Sequence, residues 1–187
     1  HVKLSLKQNI EFYRSALNLK GEYTSIQETI DWISELNRNI SVKVEKKSLS
    51  GLKSWTYNDS QISHESGKFF SIIGFNITHY NNNQTNSWEQ PIINQPEIGI
   101  LGFIVKKING IYHFLVQAKI EPGNVNKVQL SPTLQATKSN YSRVHKGKTP
   151  KYLNYFLNPS KDSVIIDQLQ SEQGSRFFKK RNRNMIV

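Results

Sequence analysis

Five side chains stand out as candidates for proton chemistry: Lys119, Glu121, Tyr141, His145 and Glu172. A carboxylate or an imidazole can take a proton, an ammonium can stabilise the charge that then gathers on oxygen, and a phenol can return a proton. Four of the five lie in or just beyond Gln117–Tyr141, QAKIEPGNVNKVQLSPTLQATKSNY, one of the most polar passages of the chain. Read as extended chain, Gln129, Ser131, Thr133, Gln135, Thr137, Ser139 and Tyr141 alternate at period 2 and would share one face, with Leu130, Leu134 and Ala136 on the other. Residue type leaves Glu121, His145 and Glu172 as rival bases. A lone histidine in a basic segment is also an ordinary surface residue, and Glu172 also suits a salt bridge.

Other chemistries lack their sequence signatures. There is no G-x-G-x-x-G after a strand, no P-loop, no G-x-S-x-G elbow and no cysteine, and the histidines at 1, 64, 79, 113 and 145 show no metal-ligand spacing. The 187 residues fit one domain with a short appendage, and no apolar run approaches the ~20 residues that span a bilayer. Without cysteine or a secretory signal core, a cytoplasmic location is expected. A net charge of +11 implies an anionic partner: nucleic acid, an anionic membrane surface or a phosphorylated small molecule. Lys146, Lys148, Lys151, Arg176, Lys179, Lys180, Arg181 and Arg183 concentrate that charge in the last quarter.

The elements that position these groups follow from patterning. Residues 7–19 and 24–37 read as helices, the second opened by a capping box from Thr24 or Ser25 to Gln27 or Glu28, with Ile26, Ile30 and Ile33 on a packing face. Ile40, Val42 and Val44 alternate as a strand. A loop from Gly51 leads to a short second strand. The run from Phe69 to Ile77 reads as a strand buried on both faces, and HYNNNQTNS after it as a surface loop.

Asn109-Gly110 predicts a type I′ hairpin joining Gly99–Ile108 to Ile111–Ile120. Its register opposes Ile108 to Ile111, Lys106 to His113, Ile104 to Leu115 and Gly102 to Gln117. A ligand could then lie over the bare Gly102. Tyr112, Phe114, Val116, Ala118 and Ile120 form an apolar face, with His113, Gln117, Lys119 and Glu121 opposite. Glu121-Pro122-Gly123-Asn124 reads as a turn. Thr149-Pro150 opens a short helix with a Tyr152, Leu153 and Phe156 stripe, residues 163–169 form a strand, and the chain ends in another.

Gln117–Tyr141 with Arg143 and His145, the later QSEQGS at 170–175, and KRNRNM at 180–185 closely resemble the NDP-hexose 2,3-dehydratase family. A looser match extends to His64, Gly67–Phe70 and Trp88. The resemblance implies an α+β fold, a Nudix-like mixed sheet flanked by helices, with residues 1–23 as a helical extension and 24–187 as a single domain. It implies cofactor-independent, metal-free loss of water across C2 and C3 of an NDP-4-keto-6-deoxyhexose, dTDP-linked, and so selects a nucleotide sugar over nucleic acid or membrane. In that reading Glu121 is the base, with His145 and Glu172 as rivals; Lys119 and Gln117 serve the enolate oxygen and Tyr141 the acid. Asn124, Asn140 and the polar row from Gln129 to Ser139 seat the sugar, while Arg143, Lys146, Arg181 and Arg183 meet the pyrophosphate. Trp88, Tyr152 or Phe156 stacks on the base, core packing being the plainer role for Phe156. Family members usually carry two such repeats. A single one implies a homodimer or half of a tandem enzyme, and in the second case a non-catalytic binding module is the alternative function.

Overall fold

The computed structural model describes residues 5–82, 84–141 and 149–187. Two helices open the chain, α1 (Leu6–Leu17) and α2 (Ile26–Asn39), each closed at its start by a full capping box, Ser5 with Gln8 and Ser25 with Glu28. Neither helix buries a residue. They dock through specific groups instead. In α1, Phe12 stacks on Tyr112 at 4.6 Å and Ser15 Oγ accepts the Tyr112 N–H. In α2, the Asn37 amide bonds both backbone groups of Val128. Ile26 and Ile30, expected to pack, are more than half exposed.

Ten strands follow. β1 (Trp55–Tyr57), β2 (Gln61–His64), β3 (Ser71–Asn81) and β4 (Gln84–Asn94) make an antiparallel sheet in sequence order. β5 (Gly99–Ile108), β6 (Ile111–Ile120), β7 (Val128–Pro132), β9 (Ile166–Ser171) and β10 (Arg181–Ile186) form a second, mixed sheet in the order β7-β6-β5-β10-β9. β8 (Leu134–Ala136) pairs with β5. Short helices α3 (Lys138–Tyr141) and α4 (Leu153–Leu157) complete the described chain. The α+β class and the N-terminal helical segment are as expected, but the strands divide between two sheets rather than one.

Several local expectations fail for identifiable reasons. Residues 40–47 form no strand, because no partner strand lies beside their alternating side chains. Phe69 and Phe70 precede β3 rather than sit inside it and are each 37% exposed; they gather with Trp55 and His64 as an aromatic cluster. The Asn-rich segment is no open loop. His79–Asn81 and Gln84–Ser87 continue the β3–β4 ladder, where backbone pairing overrides polar composition. Tyr152 has φ 64° and lies just before α4, half exposed, leaving Leu153 and Phe156 as the buried pair.

The Asn109-Gly110 turn has positive φ at both residues, and pairs Ile108 to Ile111, Lys106 to His113 and Ile104 to Leu115 as predicted. There the ladder stops. Beyond Ile104 and Leu115 the two strands diverge, and the chain of β7 and β8 enters between them: Gln117 faces Ser131 on β7, and Gly102 faces Leu134 on β8. Thr133 sits at the fork, its hydroxyl accepting the Ile104 N–H at 2.9 Å and donating to the Leu115 carbonyl. The expected Gly102–Gln117 opposition is therefore absent. No ligand can lie on Gly102 either, since a Cβ there would overlap the ring of the fully buried Phe156.

That ring centres the core, with Ile100, Leu134, Ala136, Leu153, Met185 and Val187 around it. Because the fork buries one backbone donor and one backbone acceptor on a single hydroxyl, Thr133→Val should destabilise the fold by about 1–3 kcal/mol for each group left unpaired. Thr133→Ser should keep most of the stability. Urea unfolding of both variants checks this, and equal midpoints would remove the hydroxyl from the account.

Candidate functional site

A cleft of about 430 Å³ opens where the fork meets the junction of the two sheets. Its floor is Gly99 and Leu101 of β5 with Gln135 and Ala136 of β8 and the adjoining Thr137. One wall is the end of β6, carrying Lys119 and Glu121; the other is the β9–β10 turn, carrying Glu172, Phe177, Lys180 and Asn182. Gln95, between β4 and β5, closes a third side.

Each wall has a local cause. Lys119 and Glu121 are two apart on an extended chain and so point the same way. Their side chains meet at 2.6 Å and are both partly exposed to the cleft. Glu172 and Lys180 extend the β9–β10 ladder by one step, the Glu172 N–H donating to the Lys180 carbonyl at 3.0 Å. The turn between them is pinned to the other sheet: Ile93 bonds Arg176 and Phe178 through backbone, Phe178 stacks on Phe75 at 4.6 Å, and Gln90 donates to the Ser175 carbonyl.

Asn182, also buried, accepts the Gly99 N–H at 3.1 Å and donates its amide to Glu172 Oε1. It therefore fixes one carboxylate oxygen of Glu172 relative to the floor. Lys180 is 5% exposed, with Nζ donating to the Glu97 carbonyl. Burial lowers its pKa from the ordinary lysine range, against the opposing charges of Glu172 and Glu97.

A second cleft of about 440 Å³ adjoins the first, sharing Lys119 and Gln135 as its boundary. Gln117, Thr133, Lys151 and Tyr152 are among its lining residues. The Gln117 amide donates to the Pro132 and Thr133 carbonyls, so its donors hold the strand crossing at the fork.

The polar row does not form the single face expected of it. β7 and β8 pair with different strands, which breaks the alternation at Thr133. Of the row, Gln135 and Thr137 line the main cleft. Ser131 and Thr133 are buried; Ser139 is buried with its N–H and hydroxyl on Glu97 Oε2. Gln129 stands across from Lys119 on β7, and Leu130, expected inside, is about half exposed. Asn124 caps its own turn through the Lys119 and Lys127 carbonyls.

Trp88 lies on β4 with its indole N–H on Gln90 Oε1, and lines neither cleft. Arg181 is exposed at the start of β10, and Arg183 forks onto Asp167 at 2.7 and 2.5 Å. Arg143, His145 and Lys146 lie outside the described residues, as do the side chains of Asn140 and Tyr141. Lys180 and Asn182 are the cleft-lining polar groups that residue-type reasoning passed over. Lys180 reads as one more cation of a basic run, and Asn182 as a neutral spacer; period-2 alternation on a terminal strand was the signal that joins them.

The geometry defines a half-open cleft of a size for a small polar molecule, lined by carboxylate and ammonium groups from two walls. Residues 26–187 match the family described as NDP-hexose 2,3-dehydratase, and the chain belongs to that family. It is similar to proteins named dTDP-4-dehydro-6-deoxy-alpha-D-glucopyranose 2,3-dehydratase. One from Saccharopolyspora spinosa is 44% identical over 94% of this chain and 36% of its own length. Another from Amycolatopsis orientalis is 43% identical over 92% of this chain and 38% of its own, and one from Streptomyces violaceoruber 46% identical over 83% and 36%. The chain thus spans little more than a third of these relatives.

The Arg183 fork holds the Asp167 carboxyl below the usual carboxylate range. Stability from this pair should be complete above the unfolded carboxylate range, near pH ~4, and lost as the pH falls through the lowered folded value. Asp167→Asn should therefore unfold at lower urea than the parent at pH 7, with the two midpoints converging in acid.

Proposed function

We propose that this chain carries the site for cofactor-independent 2,3-dehydration of a dTDP-linked 4-keto-6-deoxyhexose. The observation that supports it is the convergence of Glu121 and Glu172, distant in sequence, with Lys119 on one cleft of about 430 Å³. That volume falls in the range of roughly 300–1,000 Å³ common to small-molecule sites. Family membership and the printed names of the relatives support the substrate class.

The ketone at C4 acidifies the proton on C3. In the proposed reaction Glu121 takes that proton, and the electron pair delocalises onto the C4 oxygen. The transfer neutralises the partner of Lys119, whose ammonium at 2.6 Å is then free to stabilise the enolate oxygen. Return of the electrons expels the C2 hydroxyl as water once it receives a proton, leaving a C2–C3 double bond with an enol at C3. Tautomerisation gives the 3,4-diketo-2,6-dideoxy sugar. Glu172, oriented by Asn182 on the opposite wall, is the rival base.

The sugar occupies the first cleft in this reading, and the diphosphate and nucleoside run past Lys119 into the second, toward Lys151 and Tyr152. Tyr152, half exposed and beside Tyr155, offers its ring to the base. Arg143 and Lys146 keep the phosphate role the resemblance implies. The mixed sheet is read as a Nudix-like module, with a second copy or a second repeat as its partner, and the cytoplasm as its location. Among the described residues no helix is long and apolar enough to cross a membrane.

Incubation of the chain with dTDP-4-keto-6-deoxyglucose tests the activity, with product identified by mass spectrometry after trapping the diketone. Binding without product would favour a non-catalytic module. Glu121→Gln should lower kcat by about 10²–10⁴-fold while dTDP affinity stays near parental. Near-normal turnover would pass the proton to Glu172, tested likewise by Glu172→Gln.

A further inference from the structure

The dehydration needs a proton donor for the departing hydroxyl, and a charged group at the cleft has so far been given no part. Among the described lysines Lys180 is the buried one, at 5% exposure, whereas the others keep part or most of their long side chains in solvent. A lysine that served only packing would carry its strongly hydrated ammonium outward. Here the side chain lines the cleft while its amine is held inside the protein on the Glu97 backbone carbonyl.

Its backbone is already committed to the ladder with Glu172, so the strand does not need this side chain to form. Two carboxylates act on it, Glu172 next to the end of β9 and Glu97 between β4 and β5, and Lys119 with Glu121 line the same cleft. The Glu97 carboxylate is itself engaged, with Oε2 on the N–H and hydroxyl of Ser139. That anchoring keeps the carbonyl perch of Lys180 in place.

We propose that Lys180 is the catalytic acid that protonates the departing C2 hydroxyl, an inference that rests on the dehydratase reading above. Glu121 and Lys180 then act from opposite walls. Glu121 takes the C3 proton to give the enolate, and as its electrons return the C2–C3 double bond forms and the C2–O bond breaks. An N–H of Lys180 supplies the proton that makes the leaving group water, and the amine is left neutral. Tautomerisation restores both groups: the enol hydroxyl at C3 returns a proton to Lys180 while Glu121 delivers its proton to C2. Substrate is converted to diketo sugar and water, and the protein ends as it began.

Burial suits the amine to this task, because a lowered pKa brings an ammonium closer to the working pH and eases proton release. The protonated form is the acid, so activity should fall as the pH rises through that lowered value.

The test compares the parent chain with Lys180→Arg, which keeps the charge but does not release a proton near neutral pH. Turnover of dTDP-4-keto-6-deoxyglucose is measured across pH, alongside dTDP affinity and melting temperature. The expected result is a loss of at least ~100-fold in kcat for the variant, with unchanged melting and a dTDP Kd within about threefold of the parent. The parent's alkaline limb should lie below the ordinary lysine value of ~10.4 and be missing in the variant.

Carbon-13 NMR of the lysine Cε signals, assigned by comparison with the variant, should show Lys180 titrating at the same pH as that limb. A small primary amine should restore part of the turnover to Lys180→Ala. Equal activity and equal pH profiles in parent and Lys180→Arg would overturn the role of Lys180 alone. A parent that binds dTDP yet makes no product would overturn the dehydratase reading, and the acid with it.

Discussion

One hydroxyl decides where two strands part company. Thr133 bonds the Ile104 N–H and the Leu115 carbonyl at the point where the β5–β6 ladder ends, and so replaces the ladder bonds those groups would otherwise lose. Past that point a single chain serves both strands, first as β7 against β6 and then as β8 against β5. The separation it holds open is the space in which the cleft lies. Without the wedge β5 and β6 would zip together toward Gly102 and Gln117, and the floor formed by Gln135 and Ala136 would have no place.

The site is built by pairing separate walls rather than by concentrating like charges. Glu121 faces its own Lys119, and Glu172 lies beside Lys180, so the four ionised groups cancel formally while the chain as a whole carries +11. A surplus of positive charge outside draws an anionic molecule in, and a balanced interior leaves proton positions to local geometry. Asn182 couples the two scales. It ties a carboxylate to the backbone of the strand that forms the floor, so the wall cannot shift without disturbing the sheet.

The parts of this arrangement that rest on local backbone rules could be read from sequence. The hairpin turn, its register as far as Ile104, the two amphipathic helices and the turn after Glu121 are all fixed by residues within a few positions of each other. The site was legible to the extent that Lys119, Glu121 and Glu172 carry recognisable chemistry. The fork was not, because a period-2 pattern says that a strand continues without saying which partner it keeps; Ser131 and Ser139 share parity with Gln135 yet end inside the protein. Burial of Lys180 was equally hidden. Its neighbours Lys179, Arg181 and Arg183 make it look like surface, and only the hook of residues 173–178 onto β4 turns it inward. The strand expected at residues 40–44 fails for the same reason in reverse, since alternation without a partner does not make a sheet.

β10 runs parallel to β5 and sits between it and β9, so the most recently synthesised strand of the sheet fills a central position. Nothing but a long excursion connects β5 to β10, and contacts of such large sequence separation form late because the intervening chain must first be closed into a loop. Asn182 rides on that strand and Lys180 immediately precedes it. A ribosome-bound chain can therefore complete its hairpin and fork while still lacking one wall of the cleft, and for that interval it presents an unpaired edge on both β5 and β9. Until β10 pairs, neither this wall of the cleft nor the protection of those edges from mispairing is in place.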